Sequence, residues 1–260
     1  LTAGTLPAAA IDIAFFVSLA ALAAREIIAG KNWRNLRVLV IVGFLIAGNV
    51  AFHAEAIYAS GSDYGVRIGI AAVIMLIVLI GGRIVPSFTN NWLVKNRPGR
   101  LPKPFSRFDA VAILAALAAF VLWVAIPASP VTGFVLIAAG ALHVFRLMRW
   151  AGDRTLSDPL VLVLHVAYAF VPLGFVLNGA AALTFTVPPS AGIHAWTAGA
   201  VGLMTLSVMT RASLGHAGRP LAASPATQAI YLLAAIAALS RIVASLSGSL
   251  LLIYVSAFAW

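Results

Sequence analysis

Four histidines are the residues of this sequence whose type and position best suit metal chemistry. Each lies in a run of about 20 mostly apolar residues, the length that crosses a bilayer core of about 30 Å. Ionisable groups are costly there and usually face the interior of a helix bundle. Because neutral imidazole binds both iron and copper, these side chains are candidate metal ligands. They are His53, His143, His165 and His194.

The depths of these histidines group them into two pairs. At a helical rise of about 1.5 Å per residue, His143 and His165 lie about 12 and 9 Å from the predicted cytoplasmic edge. His53 and His194 lie about 25 and 22 Å from that edge. Two pairs at two levels would suit axial ligation of stacked haems, or of a haem with a nearby copper. The alternative is that each histidine is a hydrogen-bonded packing residue.

Three neighbouring side chains could help to bind such a cofactor. Arg146 and Arg149 follow His143 by three and six residues, and guanidinium binds carboxylates such as haem propionates in a bidentate manner. They could equally be ordinary positive charge at a cytoplasmic edge. Tyr168 follows His165 by three residues, so it could hydrogen-bond to that ring or pack at the membrane interface.

Arg83 stands between a glycine pair and Pro86 at the end of an apolar run. Glycines allow close approach of backbones, and proline ends or kinks a helix. Arg83 could therefore shape an entrance for an anionic group or a haem edge, or it could simply mark the end of a helix.

The composition identifies an integral membrane protein. Hydrophobic residues make up 62% of the chain and charged residues only 9%, which excludes an ordinary soluble domain. The net charge of +10 comes from short clusters between apolar runs, so the expected partner is the lipid bilayer and not nucleic acid. The absence of cysteine excludes disulfides and iron–sulfur clusters.

Hydropathy predicts an all-α fold, a polytopic transmembrane helix bundle that forms a single domain over residues 1–260. It has eight full spans and a truncated ninth, so we expect the sequence to be a piece of a longer protein. The predicted spans are Ala8–Ile28, Leu36–Ile57, Val66–Val85, Asp109–Pro127, Val131–Leu147, Pro159–Asn178, Pro189–Met209 and Ala226–Ser245, and then Ser247–Trp260.

Basic residues predict the orientation of these spans. Of the 17 lysines and arginines, 15 fall at the first, third, fifth and seventh connections, which are therefore expected to face the cytoplasm. The longest non-helical piece is predicted to be Ser87–Arg107, a loop with three prolines. A basic turn, Thr210–Pro220, is predicted to follow the seventh span and to contain His216.

Four motifs of this sequence resemble those of the NnrS family. They are Gly81–Leu93 (GGRIVPSFTNNWL), His143–Trp150 (HVFRLMRW), Pro159–Gly174 (PLVLVLHVAYAFVPLG) and Met209–Leu221 (MTRASLGHAGRPL). The resemblance implies a multi-pass bacterial inner-membrane protein with about twelve spans, associated with denitrification and nitric oxide stress and containing haem and copper. Ala217 departs from the threonine that the family often has after the loop histidine.

The leading hypothesis is a haem- and copper-binding inner-membrane protein of the nitrosative stress response. It would bind or detoxify nitric oxide, with the four histidines as ligands and an unidentified electron donor, and whether it is an enzyme stays open. One alternative is a proton-coupled secondary transporter of a small solute, in which the histidines relay protons. Another is a metal-free membrane scaffold or sensor that uses the basic residues Lys95–Arg107.

Overall fold

A computed structural model describes residues 5–59, 61 and 63–260, without the side chains of Thr5 and Arg34. Within those residues it contains helices and no strands. The helices are α1 (Thr5–Ala29), α2 (Leu36–Tyr58), α3 (Asp63–Leu76), α4 (Gly82–Asn96), α5 (Arg107–Ala125), α6 (Pro130–Met148), α7 (Pro159–Leu183), α8 (Pro189–His194), α9 (Leu203–His216), α10 (Pro225–Ser247) and α11 (Leu250–Ala259). Segments of π-helix, Ile77–Gly81 and Ala195–Gly202, join α3 to α4 and α8 to α9.

The prediction of eight full spans in an all-α bundle is confirmed. In the described part of the chain, eight helices are long and apolar enough to cross a membrane, so the chain is a multi-pass membrane protein whose surroundings are lipid. The short apolar helix α11 occupies the position of the predicted partial ninth span. Hydropathy located these helices because crossing the bilayer requires a long apolar segment with internally paired backbone groups.

Several helix starts carry the residues that satisfy free backbone N–H groups. Helices α6, α7 and α10 each begin with proline, whose missing N–H costs nothing at that position. The preceding residue caps the helix in each case: Ser129, Asp158 and Ser224 accept hydrogen bonds from backbone N–H groups of the first turn.

Two predicted boundaries were wrong. Residues 87–96 of the predicted loop are helical, because α4 continues past Pro86 to Asn96 and buries one face, with Val85, Thr89 and Leu93 at helical spacing. Residues 97–106 alone are non-helical. The predicted basic turn also begins too early, because α9 runs to His216, which is exposed in its last turn. Gly218, with φ of 63°, then takes the left-handed conformation that commonly follows a helix.

Backbone contacts group the chain into two units, Leu1–Leu76 and Ile77–Trp260. In the first, α2 packs closely on α3, since a Cβ at Gly65 would overlap the backbone of Phe52. Small residues permit this approach of helices in lipid. The single-domain prediction is not decided by this grouping and stays a prediction.

The second unit is organised around α7, which packs against α4, α6, α8 and α9. Most of its side chains are buried, including His165 and Tyr168. At its contact with α6, a Cβ on Gly133 would lie 3.0 Å from the carbonyl oxygen of Gly179. The polar side chains of α7 are therefore enclosed by protein rather than by lipid.

Candidate functional site

A buried carboxylate at the start of α5 anchors the candidate site. Asp109 is 3% exposed and forms a capping box with Ser106, whose backbone N–H donates to the carboxylate over 2.9 Å. Its Oδ1 accepts from Nε of Arg146, and its Oδ2 accepts from Nη2 of Arg149, each over 3.2 Å. The single carboxylate of Asp109 therefore pairs with Arg146, on α6, and with Arg149, the residue that directly follows α6.

The guanidinium of Arg146 is enclosed on several sides. It is 1% exposed, and its Nη1 donates to the carbonyl oxygen of Val78 over 3.0 Å and to the hydroxyl of Tyr168 over 2.9 Å. Its centre lies 5.4 Å from the ring centroid of Trp150. A Cβ on Gly82 would overlap the guanidinium, so only glycine fits there without a shift.

Hydrogen bonds fix the proton positions on His143. Its Nε2 lies 3.1 Å from the carbonyl oxygen of Ala112, which can only accept, so Nε2 carries the proton. A positive charge on this buried ring beside Arg146 would be costly, so the ring is neutral and Nδ1 accepts. The donor is the Tyr168 hydroxyl at 2.9 Å. Both nitrogens of His143 are therefore occupied by protein partners.

His165 is held at one nitrogen and free at the other. The Thr89 hydroxyl donates its single proton to the carbonyl oxygen of Val85 over 2.8 Å, so it must accept from Nε2 of His165 over the same distance. The ring is 6% exposed, and its buried Nδ1 has no hydrogen-bond partner. A Cβ on Gly152 would lie 2.5 Å from that atom.

The other predicted site residues lie outside this network. His53 belongs to the first unit, where its Nε2 lies 3.2 Å from a carboxylate oxygen of Asp12. His194 is partly buried at the end of α8, and its ring makes no hydrogen bond to any described residue. Arg83 is exposed on α4. The structure thus brings together His143, Arg146 and Tyr168, with Arg149 at the edge.

Two predicted contacts differ from those in the structure. The Tyr168 hydroxyl bonds to His143 rather than to His165 three residues earlier, because the two rings of α7 point to different neighbouring helices. Asp109 takes the position at Arg146 and Arg149 that the prediction gave to a haem propionate. A propionate would have to compete with this carboxylate.

The donor set offers limited support for a metal centre. Among the described residues, no group of three or more histidines, aspartates and glutamates could hold a metal ion. His143 would have to give up its bond to Tyr168 before it could bind one. Nδ1 of His165 is the ring nitrogen in the network that has a free lone pair, so this level offers one candidate donor atom. The ligand predictions stay predictions.

Sequence reasoning missed Thr89, Asp109 and Trp150. Asp109 carried a usable signal, since Ser106-x-x-Asp109 before an apolar run is a capping-box pattern. Thr89 and Trp150 carried none, because their contacts to His165 and Tyr168 depend on how α4 and the end of α6 pack against α7.

The turn Gly152–Arg154, whose Gly152 lies against the ring of His165, is hydrogen-bonded to the loop 97–106. Arg154 donates to the carbonyl oxygens of Arg97 and Pro98 over 2.9 and 3.0 Å, and also to that of Arg100. The side chain of Arg100 pairs with Asp153. The turn that contacts the ring of His165 through Gly152 is therefore held by the loop.

Comparison with known proteins identifies the family. The sequence model of the NnrS protein family matches residues 1–260, the whole chain. The chain belongs to the NnrS family. Membership of the NnrS family supports a role in the nitric oxide response in general. No curated protein and no solved structure matches this NnrS sequence.

Proposed function

We propose that this NnrS family member is a bacterial inner-membrane protein that binds haem iron or copper inside the bilayer and uses it to bind or remove nitric oxide. Family membership supports the link to nitric oxide, and eight apolar helices support the bilayer setting. Nitric oxide is small, neutral and apolar, so it can reach a centre within the membrane without a polar channel.

The free nitrogen of His165 is the observation that supports metal binding most directly. A buried acceptor without a partner costs about 1–3 kcal/mol, and a metal ion would satisfy it. The Thr89 hydroxyl holds the proton on Nε2, in the way that hydrogen bonds orient metal-bound histidines in general. A bound metal would supply an open coordination position for nitric oxide.

A second metal at the outer level would use His194, whose ring is free of hydrogen bonds to described residues. His165 lies 18 residues before the end of α7 and His194 five residues after Pro189. Gly192, two residues before His194, packs against Asn178, which lies 13 residues after His165. At a rise of about 1.5 Å per residue, the two rings therefore differ in depth by roughly 15 Å. They would therefore belong to separate centres.

The transporter alternative gains no support from the network. A proton relay needs a chain of groups that can both accept and release a proton. The chain through Tyr168 and His143 ends at the carbonyl oxygen of Ala112, which passes no proton on.

Metal analysis of purified protein tests the proposal. We expect protein from haem- and copper-sufficient cells to show a Soret band or copper by elemental analysis. His165→Ala should lower the metal content, whereas His216→Ala, on an exposed histidine, should leave it unchanged. Wild-type protein without haem and copper would contradict the proposal and favour the metal-free scaffold or sensor.

A further inference from the structure

Tyr168 is bonded to a base that can receive its proton. Its hydroxyl donates to the neutral Nδ1 of His143 over 2.9 Å, and both side chains are fully buried. Loss of an electron makes a phenol a very strong acid, so a phenol with a base in place can lose an electron and a proton together. We propose that Tyr168 is a redox-active residue that forms a neutral tyrosyl radical with His143 as its proton acceptor.

The electron and the proton that Tyr168 loses are both accounted for by His143 and one oxidant. Tyr168 loses one electron, its O–H bond breaks, and an N–H bond forms at Nδ1 of His143, which becomes an imidazolium that still donates from Nε2 to Ala112. The electron goes to a small neutral one-electron oxidant that dissolves in lipid, of the nitrogen dioxide class, which is reduced to nitrite.

The choice of oxidant rests on the proposed function, because nitrogen dioxide forms where nitric oxide meets oxygen. The redox activity of Tyr168 rests only on the geometry. Oxidation of Tyr168 needs no metal. In this proposal His143 is a proton acceptor and not the metal ligand that the sequence predicted.

The surroundings keep the transferred proton in place. Arg146 donates to the Tyr168 oxygen before and after oxidation. The oxidised phenol is a far stronger acid than imidazolium, so the proton moves to His143 even though the carboxylate of Asp109 is already paired with Arg146 and Arg149. Because Tyr168 and His143 are fully buried, water cannot remove the proton. The step is therefore reversible.

Tyr168 belongs to a series of aromatic rings that contact one another. Its ring centroid is 4.6 Å from that of Trp150 and 6.1 Å from that of His143. His143 stacks on Phe175 at 5.7 Å, and Phe175 lies 5.2 Å from Trp196. Phenylalanine and histidine rings are too hard to oxidise to carry an electron by hopping, so the contact with Trp150 is the route by which Tyr168 can lose its electron.

Tyr231 provides a matched comparison. It is 6% exposed, and its buried hydroxyl has no hydrogen-bond partner. The remaining tyrosines, Tyr58, Tyr64 and Tyr254, are exposed. A buried tyrosine with a proton acceptor can thus be compared with a buried tyrosine that lacks one.

Flash oxidation of the metal-free protein in lipid nanodiscs tests the proposal. The oxidant is a flash-excited ruthenium tris-bipyridine with an electron-accepting quencher, and the radical is detected by electron paramagnetic resonance. We expect a buried tyrosyl signal in the wild type and in Tyr231→Phe that is lost in Tyr168→Phe and strongly reduced in His143→Phe. A signal unchanged in Tyr168→Phe would overturn the proposal.

A measurement on unmodified protein covers the case in which a variant fails to fold. Wild-type protein in nanodiscs is exposed to nitrogen dioxide gas, and nitrated tyrosines are mapped by mass spectrometry. Radical formation at Tyr168 predicts nitration of Tyr168 ahead of Tyr231, and the reverse order would contradict it. The flash experiment contains neither haem, copper nor a nitrogen oxide, so its failure would count against Tyr168 and leave the proposed metal site standing.

Discussion

The hydroxyl of Thr89 accepts a hydrogen bond from Nε2 of His165 over 2.8 Å, and this contact decides which nitrogen of the ring is free. Because the hydroxyl proton is already donated to the backbone of α4, the ring must supply its own proton at Nε2. Nδ1 then keeps its lone pair inside the protein. The hydrogen bond of a threonine to the backbone four residues earlier in its own helix thereby leaves a histidine of another helix with a free lone pair.

We predict that Thr89→Val weakens both folding and metal binding. Valine keeps the shape of threonine but leaves the buried Nε2–H of His165 without an acceptor, which costs about 1–3 kcal/mol. Thermal unfolding in detergent and metal content measure the two effects. Thr89→Ser keeps the hydroxyl and should retain the metal, whereas full metal content in Thr89→Val would show that the bond does not prepare the ligand.

Removal of the carboxylate at Asp109 should be strongly destabilising. Asp109→Asn leaves Arg146, which is 1% exposed, as an uncompensated buried charge, and breaking such a pair typically costs about 3–5 kcal/mol. Asp153→Asn removes an exposed ion pair with Arg100 and should cost at most about 1 kcal/mol. Equal unfolding temperatures for the two variants would contradict the buried pairing.

Gly152→Ala is expected to displace the ring of His165. The new Cβ would lie 2.5 Å from Nδ1, closer than carbon and nitrogen atoms pack, so the ring must turn and metal content should fall. Gly43→Ala is the control, because a Cβ at Gly43 meets no atom within 4 Å. Alanine there should stabilise α2 by up to about 1 kcal/mol. Unchanged metal content in Gly152→Ala would argue against a ligand at Nδ1.

Arg154→Ala should loosen the loop 97–106. The side chain of Arg154 donates to three carbonyl oxygens of that loop, and no other described side chain replaces these bonds. Faster tryptic cleavage after Arg100, which is followed by Leu101, is the expected result, compared with Arg219→Ala, on an exposed arginine of another loop. Equal cleavage rates would show that the loop is held by other contacts.

The sequence was sufficient to predict the spans, since each depends on the length and hydropathy of one segment. The predicted end of the third span near Pro86 was wrong, because burial of one face of α4 outweighs the hydrogen bond that the proline removes. Tertiary packing decided that boundary, and composition could not reveal it.

The candidate site could be predicted only in part. Depth along a helix follows from residue number, so buried histidines on α6 and α7 were predictable. The direction of each ring around its helix was not, and that direction sends His143 to Ala112 and His165 to Thr89. Asp109 pairs with a residue 37 positions away, which requires knowledge of how α5 packs on α6.

Nitrogen-15 NMR of histidine-labelled protein in lipid measures the proton positions on which the proposed metal site depends. The spectrum of His165→Gln assigns the His165 signals by their loss. The expected result is a neutral ring with Nε2 protonated and Nδ1 bare, and a shift of the Nδ1 signal when metal is restored. A proton on Nδ1 of the metal-free protein, or an Nδ1 signal unaffected by metal, would contradict the assignment of His165 as a ligand.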